Sequence, residues 1–181
     1  MAQIKWGASM SQEDRNKISK YTLGVLNKAL DASKNPNGVI TSGHRPAERQ
    51  ARVMYDNLSN GIRISYLEPG QIVTRLYDDC VKKKFGKTET IAIMAKKIEE
   101  LARQNKLVSK HTVTEEQYKK VNVVDISKQT ANLPNPRDFV KELLKEPNVV
   151  KVLTPFTSDY GSNRAVYSKA ENAIHIEIKQ P

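Results

Sequence analysis

The pattern of apolar and polar positions changes along this chain, from a helical period in its first part to a strand-like alternation in its second. In the first part, apolar residues recur three and four positions apart, which is typical of amphipathic helices. Two short β-like runs, 39–41 and 62–66, interrupt this pattern. The helices predicted from it span residues 11–33, 46–58, 68–83 and 89–105.

The second part of the chain favours strands. Strands are predicted over 121–126, 149–153 and 173–178, with a short helix over 136–145 and a helical turn over 115–119. No fixed-period repeat or Pro/Gly-rich linker divides the sequence. We therefore expect one α+β domain over 1–181, with a helical part (1–107) packed on an antiparallel sheet (108–181).

Composition excludes several classes of protein. With 181 residues, 38% of them hydrophobic, the chain is long enough to bury about 70% of its unfolded surface, so disorder is not expected. A single cysteine, Cys80, cannot form an intramolecular disulfide or a four-thiolate metal site. The first residues lack the apolar core of a signal peptide, and no apolar run reaches the ~18 residues of a membrane span. We expect synthesis in the cytoplasm and no membrane insertion.

The formal net charge of +10 indicates an anionic partner. Nucleic acid, anionic lipid and an acidic cell-wall polymer all fit this charge. The basic residues are scattered, and aromatic residues make up only 6% of the chain, so it offers few stacking platforms for bases. Specific recognition of nucleic acid is therefore disfavoured, although it stays open as an alternative.

The three histidines, His44, His111 and His175, each stand in a short sequence segment that suits a metal site. In the last predicted strand, the period of two places His175 and Glu177 on one face and the intervening isoleucines on the other. Asp125 ends an otherwise apolar row, where a carboxylate needs a partner. Because catalytic zinc commonly has three protein ligands, two histidines and one carboxylate suffice.

These residues resemble the zinc D-alanyl-D-alanine peptidases and related peptidoglycan endopeptidases, whose fold is shared with lysostaphin-type enzymes and the hedgehog signalling domain. The resemblance covers residues 39 to 178 as three blocks in the family's order. The blocks are Ser42-Gly43-His44-Arg45 followed by Gln50, then Ser109-Lys110-His111 with Val123-Val124-Asp125-Ile126, and finally Ile174-His175-Ile176-Glu177.

The resemblance implies that His111, Asp125 and His175 are zinc ligands. His111 and Asp125 are fourteen residues apart, a longer spacing than in the family, so an insertion that includes the predicted turn 115–119 must separate them. The family's general base precedes the last histidine, which favours Glu171. Glu177 is the rival base, because it shares a strand face with His175.

The same resemblance assigns residues to the substrate. Arg45 would polarise the substrate carbonyl or stabilise the oxyanion, Ser109 would assist substrate binding, and Gln50 would support the Arg45 loop. His44 replaces the family's tyrosine, and we expect it to be structural or to face the substrate rather than to bind zinc.

The function implied by the resemblance is hydrolysis of peptidoglycan stem peptides, by an L-alanyl-D-glutamate endopeptidase or a D-alanyl-D-alanine carboxypeptidase. We expect a bacteriophage enzyme of lysis or wall penetration, which reaches the wall after release from the cytoplasm or inside a virion. Its positive charge would favour adhesion to an anionic cell envelope. The alternative is a non-catalytic binding or virion-assembly protein on the same fold, which uses its basic surface for nucleic acid or a partner.

Overall fold

The computed structural model describes residues 1–169 and 171–181, which form six strands and seven helices. The strands are β1 (Gln3–Trp6), β2 (Asn37–Ser42), β3 (Val121–Ser127), β4 (Val149–Thr154), β5 (Ala165–Tyr167) and β6 (Ala173–Lys179). The helices are α1 (Gln12–Lys17), α2 (Lys20–Ala32), α3 (Ala47–Ser59), α4 (Glu68–Lys82), α5 (Lys87–Arg103), α6 (Glu115–Lys120) and α7 (Pro136–Lys145). Every predicted helix and strand has a counterpart except the strand-like run 62–66.

The chain divides into two compact units. The sheet unit comprises Met1–His44 and Glu116–Pro181, and it holds all six strands together with α1, α2 and α7. The helical unit comprises Arg45–Glu115 and holds α3, α4 and α5. Strands β1 and β2 lie in the mainly helical part predicted over 1–107, where β2 contains the predicted β-like run 39–41 and β1 was not predicted. The single-domain organisation stays a prediction.

The six strands form one mixed sheet in the order β1-β2-β3-β6-β4-β5. Neighbouring strands are antiparallel through the four central strands, but β1 pairs with β2, and β5 with β4, in parallel. The α+β class is therefore confirmed, whereas the expectation of a purely antiparallel sheet is wrong at both edges. The edge strands have only 4 and 3 residues, too few to show an alternating pattern in the sequence.

One face of the sheet packs against α2 and α7 and forms the core of the sheet unit. The alternating residues of β6 that point to this face, Ile174, Ile176 and Ile178, are fully buried. Leu26 of α2 and Phe139 of α7 are buried in the same cluster. Each such side chain contributes about 1.5–3 kcal/mol of transfer free energy. This packing fixes which face of β6 carries its polar residues.

The helix predicted over 11–33 is two helices. At Ile18 the backbone is extended, with ψ 123°, and Ser19 begins α2 by accepting a hydrogen bond from the backbone N–H of Thr22. The side chain of Asn122 in β3 accepts hydrogen bonds from the Ser19 N–H (2.8 Å) and the Thr22 hydroxyl (3.0 Å). A side chain about one hundred residues away thus determines this break, so local periodicity could not predict it.

The helical unit has its own core between α3, α4 and α5, with Met54, Val73 and Met94 fully buried. The run 62–66 that joins α3 to α4 is irregular, and Ile62 and Ile64 are 54% and 48% exposed. It lies beside α4 rather than beside another strand, because the Arg63 guanidinium pairs with Asp78 at 2.6 Å. Within the described residues, none of the helices combines the length and apolarity that crossing a membrane requires.

Candidate metal centre

Asp125 and His175 lie opposite each other on the neighbouring strands β3 and β6. Residues paired in register share a face of the sheet, and both side chains point away from the core isoleucines. His175 Nδ1 and Asp125 Oδ1 are 3.1 Å apart, and their side chains are only 5% and 22% exposed. The predicted placement of His175 on the face opposite the isoleucines is confirmed.

Glu177 adds a second carboxylate to the same imidazole. Its Oε1 lies 3.5 Å from His175 Nε2, and its side chain is 16% exposed. Burial alone lowers the pKa of His175, but the hydrogen bonds and negative charges of Asp125 and Glu177 outweigh burial and raise this pKa from 6.5 to about 9. Without a metal, the imidazole therefore holds a proton at neutral pH, and a metal ion would have to displace that proton.

His111 lies in the loop before α6 and is 7% exposed. Its backbone N–H donates to Ser109 Oγ at 3.4 Å, and its carbonyl accepts a hydrogen bond from the Arg45 N–H at 2.9 Å. Among the described residues, one ligand atom from each of His111, Asp125 and His175 lies within 4.8 Å of those of the other two. These three residues are the ones that the resemblance implied as metal ligands.

The donor set suits zinc. Two imidazole nitrogens and one carboxylate oxygen are ligands of the kind that catalytic zinc sites use. Two ligands of a tetrahedral zinc with bonds of about 2.0–2.1 Å are themselves about 3.3 Å apart. The observed 3.1 Å between Asp125 Oδ1 and His175 Nδ1 is close to that separation. These residues therefore could hold a metal ion.

Arg45 and Gln50 are joined by a side-chain hydrogen bond. Pro46 begins α3 at its N-cap, so Gln50 lies one turn into the helix, and its backbone N–H donates to the Pro46 carbonyl at 3.0 Å. Arg45 Nη1 donates to Gln50 Oε1 at 2.9 Å, and the Thr112 hydroxyl lies 3.4 Å from the same oxygen. Gln50 is only 3% exposed. This buried amide restrains the guanidinium of Arg45.

The two candidate bases, Glu171 and Glu177, differ in their contacts: those of Glu171 are made by its backbone, and that of Glu177 by its carboxylate. Glu171 lies in the loop before β6. Its backbone N–H donates a hydrogen bond to the Ser168 carbonyl, and its carbonyl accepts one from Lys128 Nζ, both at 3.1 Å. Glu177 instead places its carboxylate beside the His175 imidazole. The preference for Glu171 as the base stays a prediction, and the contact between Glu177 and His175 favours Glu177.

His44 packs against a residue that sequence reasoning missed, Tyr118 in α6. The two ring centroids are 5.0 Å apart, and both side chains are buried. Tyr118 donates its hydroxyl to the Val123 carbonyl at 3.3 Å, and burial raises the pKa of this phenol. A Cβ at Gly43 would lie 3.3 Å from the same hydroxyl. In the sequence, Tyr118 could have been noticed as the single aromatic residue of the charged segment Glu115–Lys120.

Comparisons with family models, with curated proteins and with solved structures each found no match. The functional argument for this chain therefore rests on its own side chains. They provide a histidine and a carboxylate on adjacent strands, a second histidine with its ligand atom nearby, and a restrained arginine.

Proposed function

We propose that this chain is a zinc-dependent peptidase that hydrolyses peptidoglycan stem peptides, as an L-alanyl-D-glutamate endopeptidase or a D-alanyl-D-alanine carboxypeptidase. The observation that carries the proposal is the clustering of His111, Asp125 and His175, with ligand atoms within 4.8 Å of one another. The order of the sequence blocks around these residues supports a fold of the D-alanyl-D-alanine peptidase and hedgehog type.

In this proposal, His111, Asp125 and His175 would hold the zinc ion. Zinc bound there would lower the pKa of its water toward about 7 and would polarise a carbonyl group. A carboxylate of this chain, Glu171 or Glu177, accepts the proton of the attacking water and later delivers it to the leaving amine. Arg45, restrained by Gln50, stabilises the negative charge that develops on the substrate carbonyl oxygen.

The net charge of +10 supports a site of action on an anionic cell envelope. We place the enzyme in bacteriophage lysis or wall penetration, after release from the cytoplasm or as part of a virion. Attraction to the envelope would raise the concentration of the enzyme near its polymeric substrate. Ser109 would contribute to binding of the stem peptide.

The test combines digestion of purified peptidoglycan with mass spectrometry of the released muropeptides. We expect the zinc-loaded protein to cleave a single type of bond in the stem peptide, and His111→Ala to lose both zinc and cleavage. His44→Gln is the matched control, because it removes a buried histidine outside the predicted ligand set and should keep its zinc. Zinc content that is the same in His111→Ala and the wild type would contradict the proposal. Salt-sensitive retention on DNA, independent of His175, would favour the binding-protein alternative.

A further inference from the structure

Strand β4 contains an irregularity that turns one lysine toward the candidate centre. The register of β4 on β6 shifts between Val149, which pairs with Ile178, and Lys151, which pairs with Glu177. Val149 and Val152 are both fully buried in the core, whereas Val150 is 40% exposed. In a regular strand, Lys151 would share the core face with Val149. The bulge at Val150 therefore places Lys151 on the face of Glu177 and His175.

Lys151 lies next to the candidate ligands on this face. Its cross-strand partner is Glu177, and His175 is its diagonal neighbour, at a spacing of about 7–8 Å that long side chains can span. Lys151 is half-buried, yet within the described part of the chain no carboxylate oxygen lies within 4.0 Å of its ammonium group. A partly desolvated cation at this position attracts an anionic group of a ligand.

The same face continues as an apolar strip. Leu153 pairs with His175, and Val166 of β5 pairs with Leu153, so the three side chains form one row across the sheet. Val166 is 44% exposed. On this face, β4 and β5 thus place the Lys151 ammonium group and the apolar side chains of Leu153 and Val166 next to His175 and its two carboxylate neighbours. This combination suits a short aliphatic residue that carries a carboxylate.

We propose that Lys151 binds the α-carboxylate of the residue whose amine leaves during hydrolysis. This inference rests on the proposed peptidase function and assigns it a substrate-recognition residue. Both candidate reactions share the required chemistry, because D-glutamate in one and the terminal D-alanine in the other carry a free α-carboxylate next to the leaving nitrogen. Lys151 thereby determines specificity, selecting substrates with a free carboxylate over those with an amide at this position.

The experiment uses the zinc-loaded full chain and two matched pairs of stem peptides. In one pair the α-carboxylate of D-glutamate is free or amidated, and in the other the terminal carboxylate is free or amidated. For the pair that contains the scissile bond, we expect the wild type to prefer the free carboxylate by about 10- to 100-fold in kcat/KM, mostly through KM. Lys151→Met should lose this preference, mainly through a higher KM for the free-carboxylate peptide.

Two variants separate recognition from a structural role of the lysine. Lys151→Arg keeps the charge and should retain most of the preference. Lys141→Met removes an exposed lysine from α7, which packs on the opposite face of the sheet, and should retain all of it. Hydrolysis with an undiminished carboxylate preference in Lys151→Met would overturn the inference and leave the proposed function standing.

The carboxylate site can also be tested if the proposed peptidase function fails. If the wild type hydrolyses none of the peptides, the proposed function fails, and titration calorimetry with the same peptides then decides the inference. Tighter binding of the free-carboxylate peptide that is lost in Lys151→Met would support the carboxylate site. Equal binding of the acid and the amide by the wild type would overturn it.

Discussion

At the scale of single residues, the centre depends on His175 and the two carboxylates that flank it. Sequence alternation predicted that His175 and Glu177 share a face, because a period of two needs only the strand to exist. It could not predict that Asp125 is the direct partner of His175, since that depends on the register between strands fifty residues apart. Tyr118 and Asn122 were missed for the same reason, because their contacts depend on tertiary packing.

The raised pKa of His175 predicts a pH dependence of the metal-free protein. Because its pKa in the folded state is about 9, above the unfolded value of 6.5, the stabilisation is complete below about pH 6.5 and is lost as the pH rises through about 9. We expect Asp125→Asn to lower this pKa and to weaken the dependence. NMR titration of the His175 ring and urea unfolding at several pH values, both with a chelator present, measure these effects. A ring that titrates near 6.5 in the wild type would contradict the assignment.

At the scale of secondary structure, apolar spacing predicted the helices well, and α7 has the predicted bounds of 136–145. The features that local periodicity did not predict are those that need a distant partner. These are the break between α1 and α2, the short edge strands β1 and β5, and the bulge in β4 that turns Lys151 toward Glu177. The last of these matters most for the proposed function, because it changes which side chains surround His175.

Asn122→Ala should destabilise the sheet unit by about 2–3 kcal/mol. The buried amide accepts hydrogen bonds from Ser19 and Thr22 and donates one to the Tyr118 carbonyl at 2.8 Å, so its loss leaves buried groups unpaired. Chemical denaturation measures this change. Asn163→Ala, at an exposed position, is the control and should change the free energy of unfolding by less than about 0.5 kcal/mol. Equal effects of the two substitutions would contradict the role of Asn122.

At the scale of the whole molecule, the chain combines a sheet that carries Asp125 and His175 with a basic overall charge of +10. The charge and the α+β class followed from the sequence alone, because composition and periodicity are sufficient for both. The sheet topology could not be predicted from the sequence, because the residues of a short edge strand do not indicate whether it pairs in parallel.

Zinc should stabilise the fold as a whole. A ligand that binds only the folded state at 100 times its Kd adds about 2.7 kcal/mol of stability, so removing zinc with a chelator should lower Tm by several degrees. His111→Ala should lose this response, and differential scanning calorimetry with and without zinc measures it. A chelator effect of the same size in the wild type and in His111→Ala would contradict the ligand assignment.

Adhesion to the cell wall should depend on charge and not on the metal centre. We expect retention on purified cell walls to fall steeply as salt rises from about 50 to 500 mM, because salt screens exposed charges. His111→Ala should be retained like the wild type, since the substitution leaves the formal net charge of +10 unchanged with histidine neutral. Sedimentation of protein with the walls measures both. Retention that does not respond to salt would exclude an electrostatic attachment.

The central claim is that His111, Asp125 and His175 bind one zinc ion, and an anomalous difference map from zinc-soaked crystals at the zinc absorption edge tests it most directly. Our account predicts a single strong peak about 2.0–2.2 Å from a ligand atom of each of these three residues. The absence of such a peak, or a peak held by other side chains, would contradict the account.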